Sequence, residues 1–347
     1  ASDTEDLYLG LQPVSDGERV YVASYDGTVT AFDLDSGESV WQTELSEGGE
    51  GWFNLAHDLE LAAGPSVAAG YLAVGTSNGE VILLDANSGE VLWIQDVSSA
   101  VIAAPALTET HVVVRTVDGK LIALSIADGS QLWIYEQEVP ALSLRGNAQP
   151  LIADGIVYAG FDNGHLAALD LQTGRVLWDQ AVATPTGRTE LQRMVDLDGK
   201  IVLRDGIIYA AAYHGNVAAL DARTGRPLWN AEQSSYQGVA ADWQAVYLSD
   251  EDSVIWAYGI ASGGVLWRTD IVQYRQVSAP VRYDDAVVMG DFEGYLHFLS
   301  TDTGLLLART ETDGSAIINA PIVVNDLLIV QTEEGGLFAF KLTAPEE

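Results

Sequence analysis

One pattern, G-x9-G-x3-W, recurs along this chain of 347 residues and constrains its fold more than any other feature. The first position of the pattern is filled, in chain order, by Gly27, Gly79, Gly119, Gly164, Gly215, Ser253, Gly294 and Gly335. The seven steps between these positions span 308 residues, which gives a mean period of 44. A repeat of this length is typical of the blades of a β-propeller.

Each repeat has the pattern of two strands joined by a turn. Apolar runs such as residues 217–220 are typical of strands buried on both faces. The Asp-x-x-[Ser/Thr]-Gly sequence that follows favours a hairpin, because the carboxylate accepts hydrogen bonds from the turn and glycine tolerates a left-handed backbone. A second hairpin element precedes each repeat, as at residues 205–209. We therefore predict an all-β, eight-bladed β-propeller of four-stranded antiparallel blades, forming a single domain over residues 1–347.

Two further positions of the repeat support this packing. Six repeats have an alanine four residues after the first position, where a small side chain lets strands approach closely: Ala31, Ala123, Ala168, Ala219, Ala257 and Ala339. Six repeats end on a tryptophan whose ring is predicted to pack against the neighbouring blade: Trp41, Trp93, Trp133, Trp178, Trp229 and Trp267. In the seventh repeat Ala308 takes the tryptophan position.

Composition excludes several classes of function. The chain has 50 acidic and 16 basic residues, a formal net charge of −34, which argues against binding to nucleic acid or to an anionic membrane surface. We interpret this charge as a solvated acidic surface suited to a saline habitat; the alternative is a face that recruits a basic partner. With no cysteine, the chain has no disulfide, Cys-ligated metal or thiol nucleophile.

The repeated polar residues do not indicate catalysis. Asp33, Asp85, Asp170 and Asp221 share one position of the repeat, so a catalytic role would require an active site in every such blade. The five histidines show no metal-ligand spacing. We therefore predict no catalytic residue, no cofactor and no metal site.

Two segments that break the repeat are the candidate functional site. Residues 138–147 and 183–199 each connect the last strand of one blade to the first strand of the next, so both are predicted to emerge on one rim, in adjacent positions. Long connectors on a rigid scaffold often carry binding residues. Apolar and charged side chains that would form a protein-docking patch are Leu142, Leu144, Arg145, Arg193, Asp196 and Asp198.

Other interpretations of these connectors remain open. Leu142 and Leu144 would also be satisfied by packing under their own blade. Arg145 would then pair internally with Asp196 or Asp198. A third irregular connector, residues 47–60, shares the rim and carries Trp52 and Phe53, which either pack beneath their loop or extend the docking surface.

The repeat resembles that of quinoprotein dehydrogenases and their non-enzymatic relatives. Four segments more specifically resemble the BamB family of outer-membrane assembly lipoproteins: residues 142–146, 184–198, 211–216 and 293–297. The resemblance extends over essentially the whole chain from about Leu7 onward. Its most specific parts are the two segments around Leu142 and Asp196.

The resemblance to the BamB family implies a non-catalytic scaffold that assists the folding and insertion of outer-membrane proteins. In that family the residues matching Leu142, Leu144, Arg145, Asp196 and Asp198 contact a POTRA domain of BamA, and Arg193 is added to them here. The implied location is the periplasmic face of the outer membrane, through a lipid anchor. The implied state is a monomer within a larger complex, and contact with nascent outer-membrane proteins is a further expectation.

One departure from the family concerns the N-terminus. In such lipoproteins a lipid-bearing cysteine opens the mature chain and an early strand with its own tryptophan completes the last blade, whereas this sequence begins at Ala1 with neither. We expect the anchor segment to have been removed. The eighth blade, which ends near Leu342, is therefore expected to be short of its outermost strand.

Two alternative functions are retained. The first is an enzyme like the quinoprotein dehydrogenases, using pyrroloquinoline quinone and calcium. The missing vicinal cysteine pair, the missing acid-and-amide cluster and the short chain argue against it. The second is a propeller scaffold for a different envelope protein.

Overall fold

A computed structural model of the protein describes residues 11–45, 59–140, 142–143, 148–185, 188–189, 191, 194–197 and 199–342. Its strands form eight antiparallel sheets, each built from strands consecutive in the chain, and the sheets are numbered here as blades 1 to 8. The predicted eight-bladed β-propeller is confirmed. Seven blades have four strands, and blade 8 has three within the described part of the chain.

The strands of blades 1 to 4 are β1 (Val14–Ser15), β2 (Arg19–Ala23), β3 (Thr28–Asp33), β4 (Ser39–Glu44), β5 (Leu61–Ala68), β6 (Tyr71–Thr76), β7 (Glu80–Asp85), β8 (Val91–Asp96), β9 (Ala106–Leu107), β10 (His111–Arg115), β11 (Lys120–Ser125), β12 (Gln131–Glu136), β13 (Leu151–Ala153), β14 (Ile156–Gly160), β15 (His165–Asp170) and β16 (Val176–Ala181).

The strands of blades 5 to 8 are β17 (Val202–Arg204), β18 (Ile207–Ala211), β19 (Asn216–Asp221), β20 (Pro227–Glu232), β21 (Ala240–Ala241), β22 (Ala245–Ser249), β23 (Ile255–Gly259), β24 (Val265–Thr269), β25 (Val281–Tyr283), β26 (Ala286–Gly290), β27 (Tyr295–Ser300), β28 (Leu306–Glu311), β29 (Ile322–Val324), β30 (Leu327–Gln331) and β31 (Leu337–Lys341).

The core lies between blades, where apolar side chains of the second and third strands face those of the next blade. Five of the six repeated alanines are fully buried in this core, Ala168 and Ala219 among them. The sixth, Ala339 in the last described strand of blade 8, is exposed. The first strands surround the centre of the ring. A cavity of about 460 Å³ there is lined by β1, β5, β9, β13 and β29 and by residues 200–201.

The ring closes by contacts between blade 8 and blade 1. The side-chain amide of Gln12 donates to the carbonyl of Ala320 at 2.7 Å, and that of Asn319 donates to the carbonyl of Leu11 at 3.3 Å. Apolar side chains of both blades form a common cluster, including Val20 and Ile329. Closure therefore occurs with three described strands in blade 8.

The repeated tryptophans pack against the neighbouring blade, as predicted. Each of the six indole N–H groups donates to a carbonyl of the next blade at 2.7–3.0 Å; the acceptors are Ala86, Ile126, Leu171, Ala222, Ile260 and Thr301. Each ring covers the second glycine of the next repeat, as Trp178 covers Gly225, where an added Cβ would lie 2.6 Å from the ring. That glycine therefore allows the turn and also leaves room for the ring.

Blade 1 has the same glycine, but no described residue covers it. An added Cβ on Gly37 would meet no described atom within 4 Å. Blade 8 precedes blade 1 in the ring, and its described part contains no fourth strand to carry a tryptophan. The expectation of a shortened last blade thus agrees with the described residues.

The repeated aspartates form turns, as predicted. Asp170 Oδ1 accepts hydrogen bonds from the hydroxyl of Thr173 at 2.6 Å and from its amide at 2.9 Å. These bonds hold the pKa of Asp170 below its usual value. Gly174, four residues after Asp170, has a φ of 66°. Asp221 makes the same contacts with Thr224 in the next blade, so this position serves the fold.

Candidate protein-docking surface

The two irregular connectors lie on the same rim of the ring. The first connector is residues 137–150, between β12 and β13, and the second is residues 182–201, between β16 and β17. Because every blade is an antiparallel meander, such connectors emerge on the same edge as the turns between second and third strands. We call this edge the connector rim. The predicted placement follows from the observed topology.

A single turn holds both connectors. Turn 161–164, between β14 and β15, lies at the junction of blades 3, 4 and 5. On one side, Asn163 donates its side-chain amide to the side-chain oxygen of Gln137 at 3.1 Å. On the other side, the amide of Leu197 donates to the carbonyl of Phe161 at 3.3 Å, and that of Ala183 donates to the carbonyl of Gly164 at 3.1 Å. Gln137, at the start of the first connector, and Ala183 and Leu197 of the second are therefore fixed relative to each other through blade 4.

A buried ion pair joins this turn to blade 3. Arg115 at the end of β10 contacts the carboxylate of Asp162, and both side chains are about 95% buried. Arg115 also contacts a second residue of the turn, because its guanidinium carbon lies 5.8 Å from the centre of the Phe161 ring. A buried pair of this kind is costly to break on one side only, so it fixes the position of the turn relative to blade 3.

The start of the first connector is held by Asp179 of the neighbouring blade. Its carboxylate accepts hydrogen bonds from Gln137 at 2.5 Å and from the hydroxyl of Tyr135 at 3.2 Å, and it contacts His165 at 2.5 Å. Burial, followed by the charge of Asp179, raises the pKa of Tyr135 to about 12. The phenol therefore stays protonated and remains a donor across the physiological pH range.

Residues 194–197 anchor the second connector between blades 4 and 5. The Leu197 side chain is buried against Gly160, where an added Cβ would lie 2.2 Å from a Leu197 methyl group. Asp196 pairs with Tyr213 as an isolated bridge, and the Tyr213 amide donates to the Asp196 carbonyl at 2.7 Å. A ring nitrogen of His214 lies 3.2 Å from the carbonyl of Met194. The backbone of this segment is thus part of the fold.

Two of the predicted site residues differ in their exposure to solvent. Leu142 is exposed over 46% of its surface, so it is not packed under its blade. Asp196 is fully buried. The other predicted residues lie outside the described residues, with Trp52 and Phe53 of the third connector: Leu144, Arg145, Arg193 and Asp198. The predicted internal pairing of Arg145 likewise lies outside them.

Sequence reasoning missed Leu191. Its side chain is exposed over 63% of its surface, on the outer part of the second connector. Leu142 and Leu191 thus present apolar side chains from the two connectors that turn 161–164 holds together. Residues 194–197 are all buried, so no alternation of exposed and buried positions in this segment indicates Leu191.

Among the residues that the structure describes, no three or more His, Asp or Glu side chains are grouped as ligands of a metal ion. Nor does that part of the chain contain a helix with the length and apolar character needed to cross a membrane.

Eight sheets in a ring, with tryptophans packed on the glycines of the next blade, define the protein as a β-propeller of the quinoprotein-like repeat class. A family model described as outer membrane protein assembly factor BamB matches residues 4–57, 26–269 and 251–344. The BamB of Xanthomonas campestris pv. campestris is 42% identical over 95% of this chain and 80% of its own length. The chain belongs to the BamB family.

Solved structures agree with this assignment. The structure of BamB from Moraxella catarrhalis superposes with a TM-score of 0.88 at 28% identity, covering 98% of this chain and 97% of that one. A europium-containing methanol dehydrogenase superposes with a TM-score of 0.71 at 15% identity, covering 94% of this chain and 81% of that one. The second similarity concerns the fold alone.

Proposed function

We propose that this protein is a non-catalytic scaffold for outer-membrane protein assembly, which holds a partner subunit on its connector rim. Membership of the BamB family supports the process, since the relatives are named for outer membrane protein assembly. By the same family relationship, the partner is a POTRA domain of BamA. The location is the periplasmic face of the outer membrane, reached through a lipid anchor.

The observation that carries the docking site is the attachment of both connectors to turn 161–164. Asn163 and Gln137 link the turn to the first connector, and Phe161 and Leu197 link it to the second. Attachment points that are already fixed before the partner arrives reduce the conformational entropy lost on association. Leu142 and Leu191 supply exposed apolar contact area on that surface.

The predicted site residues take different roles in this proposal. Leu142 and, by its place in the family motif, Leu144 bury apolar area against the partner, while Arg145, Arg193 and Asp198 supply charged contacts. Asp196 is buried, so it acts as a positioning residue. Its carbonyl accepts from Tyr213, and this contact ties the second connector to blade 5.

A binding measurement tests the proposal. The purified periplasmic POTRA domains of BamA are titrated onto the parent chain and onto the Leu142→Ser and Leu191→Ser variants, by calorimetry. Each substitution is expected to weaken binding about tenfold, the scale of an interface residue at the centre of a contact. Unchanged affinity in both variants would place the partner elsewhere on the ring.

A matched control comes from the opposite rim. Leu305 is as exposed as Leu191 and lies in the turn between β27 and β28, away from the connectors. The Leu305→Ser variant is expected to bind as tightly as the parent. An equal loss of affinity in this variant would show that the leucines act through solubility or nonspecific hydrophobic association.

The dehydrogenase alternative has its own test. Incubation of the chain with pyrroloquinoline quinone and calcium, followed by an absorbance spectrum and a dye-reduction assay with alcohols, is expected to show no bound quinone and no turnover. A stoichiometric quinone spectrum with dye reduction would replace the scaffold proposal by an enzymatic one.

A further inference from the structure

A second set of exposed apolar side chains lies on the connector rim, between blades 6 and 7. Connector 270–280 joins β24 to β25 and carries the exposed residues Ile271 and Tyr274. Phe292, in the turn between β26 and β27, is exposed beside it. We call Ile271, Tyr274 and Phe292 the junction 6/7 surface. It lies two blade junctions further round the ring than the second connector, which joins blades 4 and 5.

The backbone holds this surface in place from both sides. The amide of Tyr274 donates to the carbonyl of Asp252 in blade 6 at 2.8 Å, and the amide of Phe292 in blade 7 donates to the carbonyl of Arg275 at 3.2 Å. The Arg275 guanidinium binds Asp291 and Glu293, both at 2.5 Å. The connector is therefore clamped between the turns of two neighbouring blades.

The backbone of the connector is also strained. Tyr274 has a φ of 63° and Gln276 a φ of 47°, left-handed conformations that large side chains rarely adopt. Such conformations persist where the surroundings impose them, and they cluster at binding sites. The Tyr274 side chain carried by this backbone has 70% of its surface exposed. A large aromatic ring held outward in this way favours contact with another molecule.

The charges around the surface specify the chemistry of that molecule. Asp252, whose carbonyl accepts from the Tyr274 amide, and Asp270, which directly precedes Ile271, are both exposed. Arg275 is the nearby cation on the connector, and its charge is balanced by its two carboxylate partners. The surface is therefore apolar at its centre and negative at its edge, which favours a ligand with both apolar and cationic groups.

Arginine fits this surface better than lysine. Its planar guanidinium stacks on aromatic rings and pairs with carboxylates in a bidentate geometry. The fold already contains such contacts here. The guanidinium carbon of Arg275 lies 5.5 Å from the centre of the Phe292 ring, and the guanidinium carbon of Arg309 lies 4.5 Å from the centre of the Tyr295 ring.

We propose that the junction 6/7 surface binds an arginine-bearing segment of a second polypeptide, with arginine stacked on Tyr274 or Phe292 and paired with Asp252 or Asp270. This surface is separate from the first and second connectors, and the proposal does not depend on the partner bound there. Both surfaces lie on the connector rim, two blade junctions apart.

The test uses a labelled synthetic peptide of alternating arginine and leucine, titrated onto the 347-residue chain by fluorescence anisotropy at low salt. The Tyr274→Ser/Phe292→Ser double variant is expected to weaken binding about tenfold or more. Tyr274→Phe, which keeps the ring, is expected to bind like the parent. An Asp252→Asn/Asp270→Asn variant is expected to bind more weakly and to lose part of the salt dependence.

The control separates this surface from general attraction to an acidic protein. Trp243 is 62% exposed and lies in the turn between β21 and β22, on the opposite rim. The Trp243→Ser variant is expected to keep the parent affinity. The proposal is overturned if the parent fails to bind, if the double variant binds as tightly as the parent, or if Trp243→Ser loses as much. Near-parent thermal midpoints confirm that the exposed-site variants are folded.

Discussion

The amide of Leu197 donates to the carbonyl of Phe161 at 3.3 Å, and the Leu197 side chain fills the space that the missing side chain of Gly160 leaves. One residue thus joins the second connector to blade 4 by its backbone and by its side chain. The anchoring residue and the exposed Leu191 lie in the same short segment. Stability and binding in this connector are therefore expected to depend on different side chains.

Substitution of the anchor is the first prediction. Leu197→Ala is expected to lower the free energy of unfolding by about 2–5 kcal/mol, because it removes a fully buried side chain and leaves a cavity beside Gly160. Urea unfolding followed by tryptophan fluorescence measures this. The matched variant Leu191→Ala changes an exposed side chain and is expected to stay within about 0.5 kcal/mol of the parent. Equal effects of the two variants would contradict the anchoring role.

The second prediction concerns the two roles of the repeat glycine. Gly225 and Gly37 have nearly the same left-handed backbone, with φ of 70° and 71°, but only Gly225 lies under a described tryptophan ring. Gly225→Ala is expected to destabilise the chain by about 1–3 kcal/mol more than Gly37→Ala, because its Cβ would displace Trp178. The measurement is urea unfolding of both variants of the 347-residue chain.

The same pair of variants can also show that Gly225 has no role in packing the tryptophan ring. If Gly37→Ala costs as much as Gly225→Ala, the left-handed turn alone explains the glycine, and ring packing adds nothing. Loss of the bond between the Trp178 indole and the Ala222 carbonyl, now 2.9 Å, is the accompanying structural change. It is expected as a shift of the Trp178 indole N–H resonance in Gly225→Ala only.

Sequence alone could predict the ring of blades but not the detailed contacts between neighbouring blades. The spacing G-x9-G-x3-W indicates the number of blades and the hairpins, because both depend on local backbone preferences repeated along the chain. The packing of each tryptophan on the glycine of the next blade depends on contacts more than 30 residues apart, such as Trp178 with Gly225. The pattern contains both residues without indicating that they meet.

The position of the two connectors was predictable from the sequence, but the exposure of their side chains was less so. Topology places both connectors on one rim whatever their sequence, and the break in the repeat marks where they lie. Burial inside a non-repeating segment follows no period, so Asp196 was expected at the surface although it is buried. For the same reason Leu191 was not selected although it is exposed.

The third prediction follows from the charge of −34. Repulsion among 50 acidic residues opposes the compact state, and dissolved salt screens it, with a Debye length of about 10 Å at 0.1 M and about 3 Å at 1 M. The thermal midpoint is expected to rise as sodium chloride increases over this range. Potassium chloride at the same ionic strength is the control, because it screens charge equally; a rise in sodium chloride alone would show that screening of charge is not the cause.

The last prediction concerns acid and the buried carboxylate of Asp291. Burial alone raises its pKa, but hydrogen bonds from His297, Arg275 and the amides of Tyr295 and Glu293 outweigh it and lower the pKa to about 2. Because this is below the value of 3.8 for the unfolded chain, the ionised carboxylate stabilises the fold fully above about pH 4. The contribution, roughly 2 kcal/mol, is lost as the pH falls from about 4 to 2.

The variant Asp291→Asn tests this assignment. Without a titrating carboxylate at this position, the variant is expected to be less stable than the parent at pH 5 to 7 and to lose less stability as the pH falls from about 4 to 2. Urea unfolding across this pH range measures both chains, and other carboxylates contribute equally to each. The difference between parent and variant should therefore shrink by roughly 2 kcal/mol towards pH 2. A constant difference would mean that the pKa of Asp291 is the same in the folded and unfolded states, and that its contacts with Arg275 and His297 do not stabilise its charge.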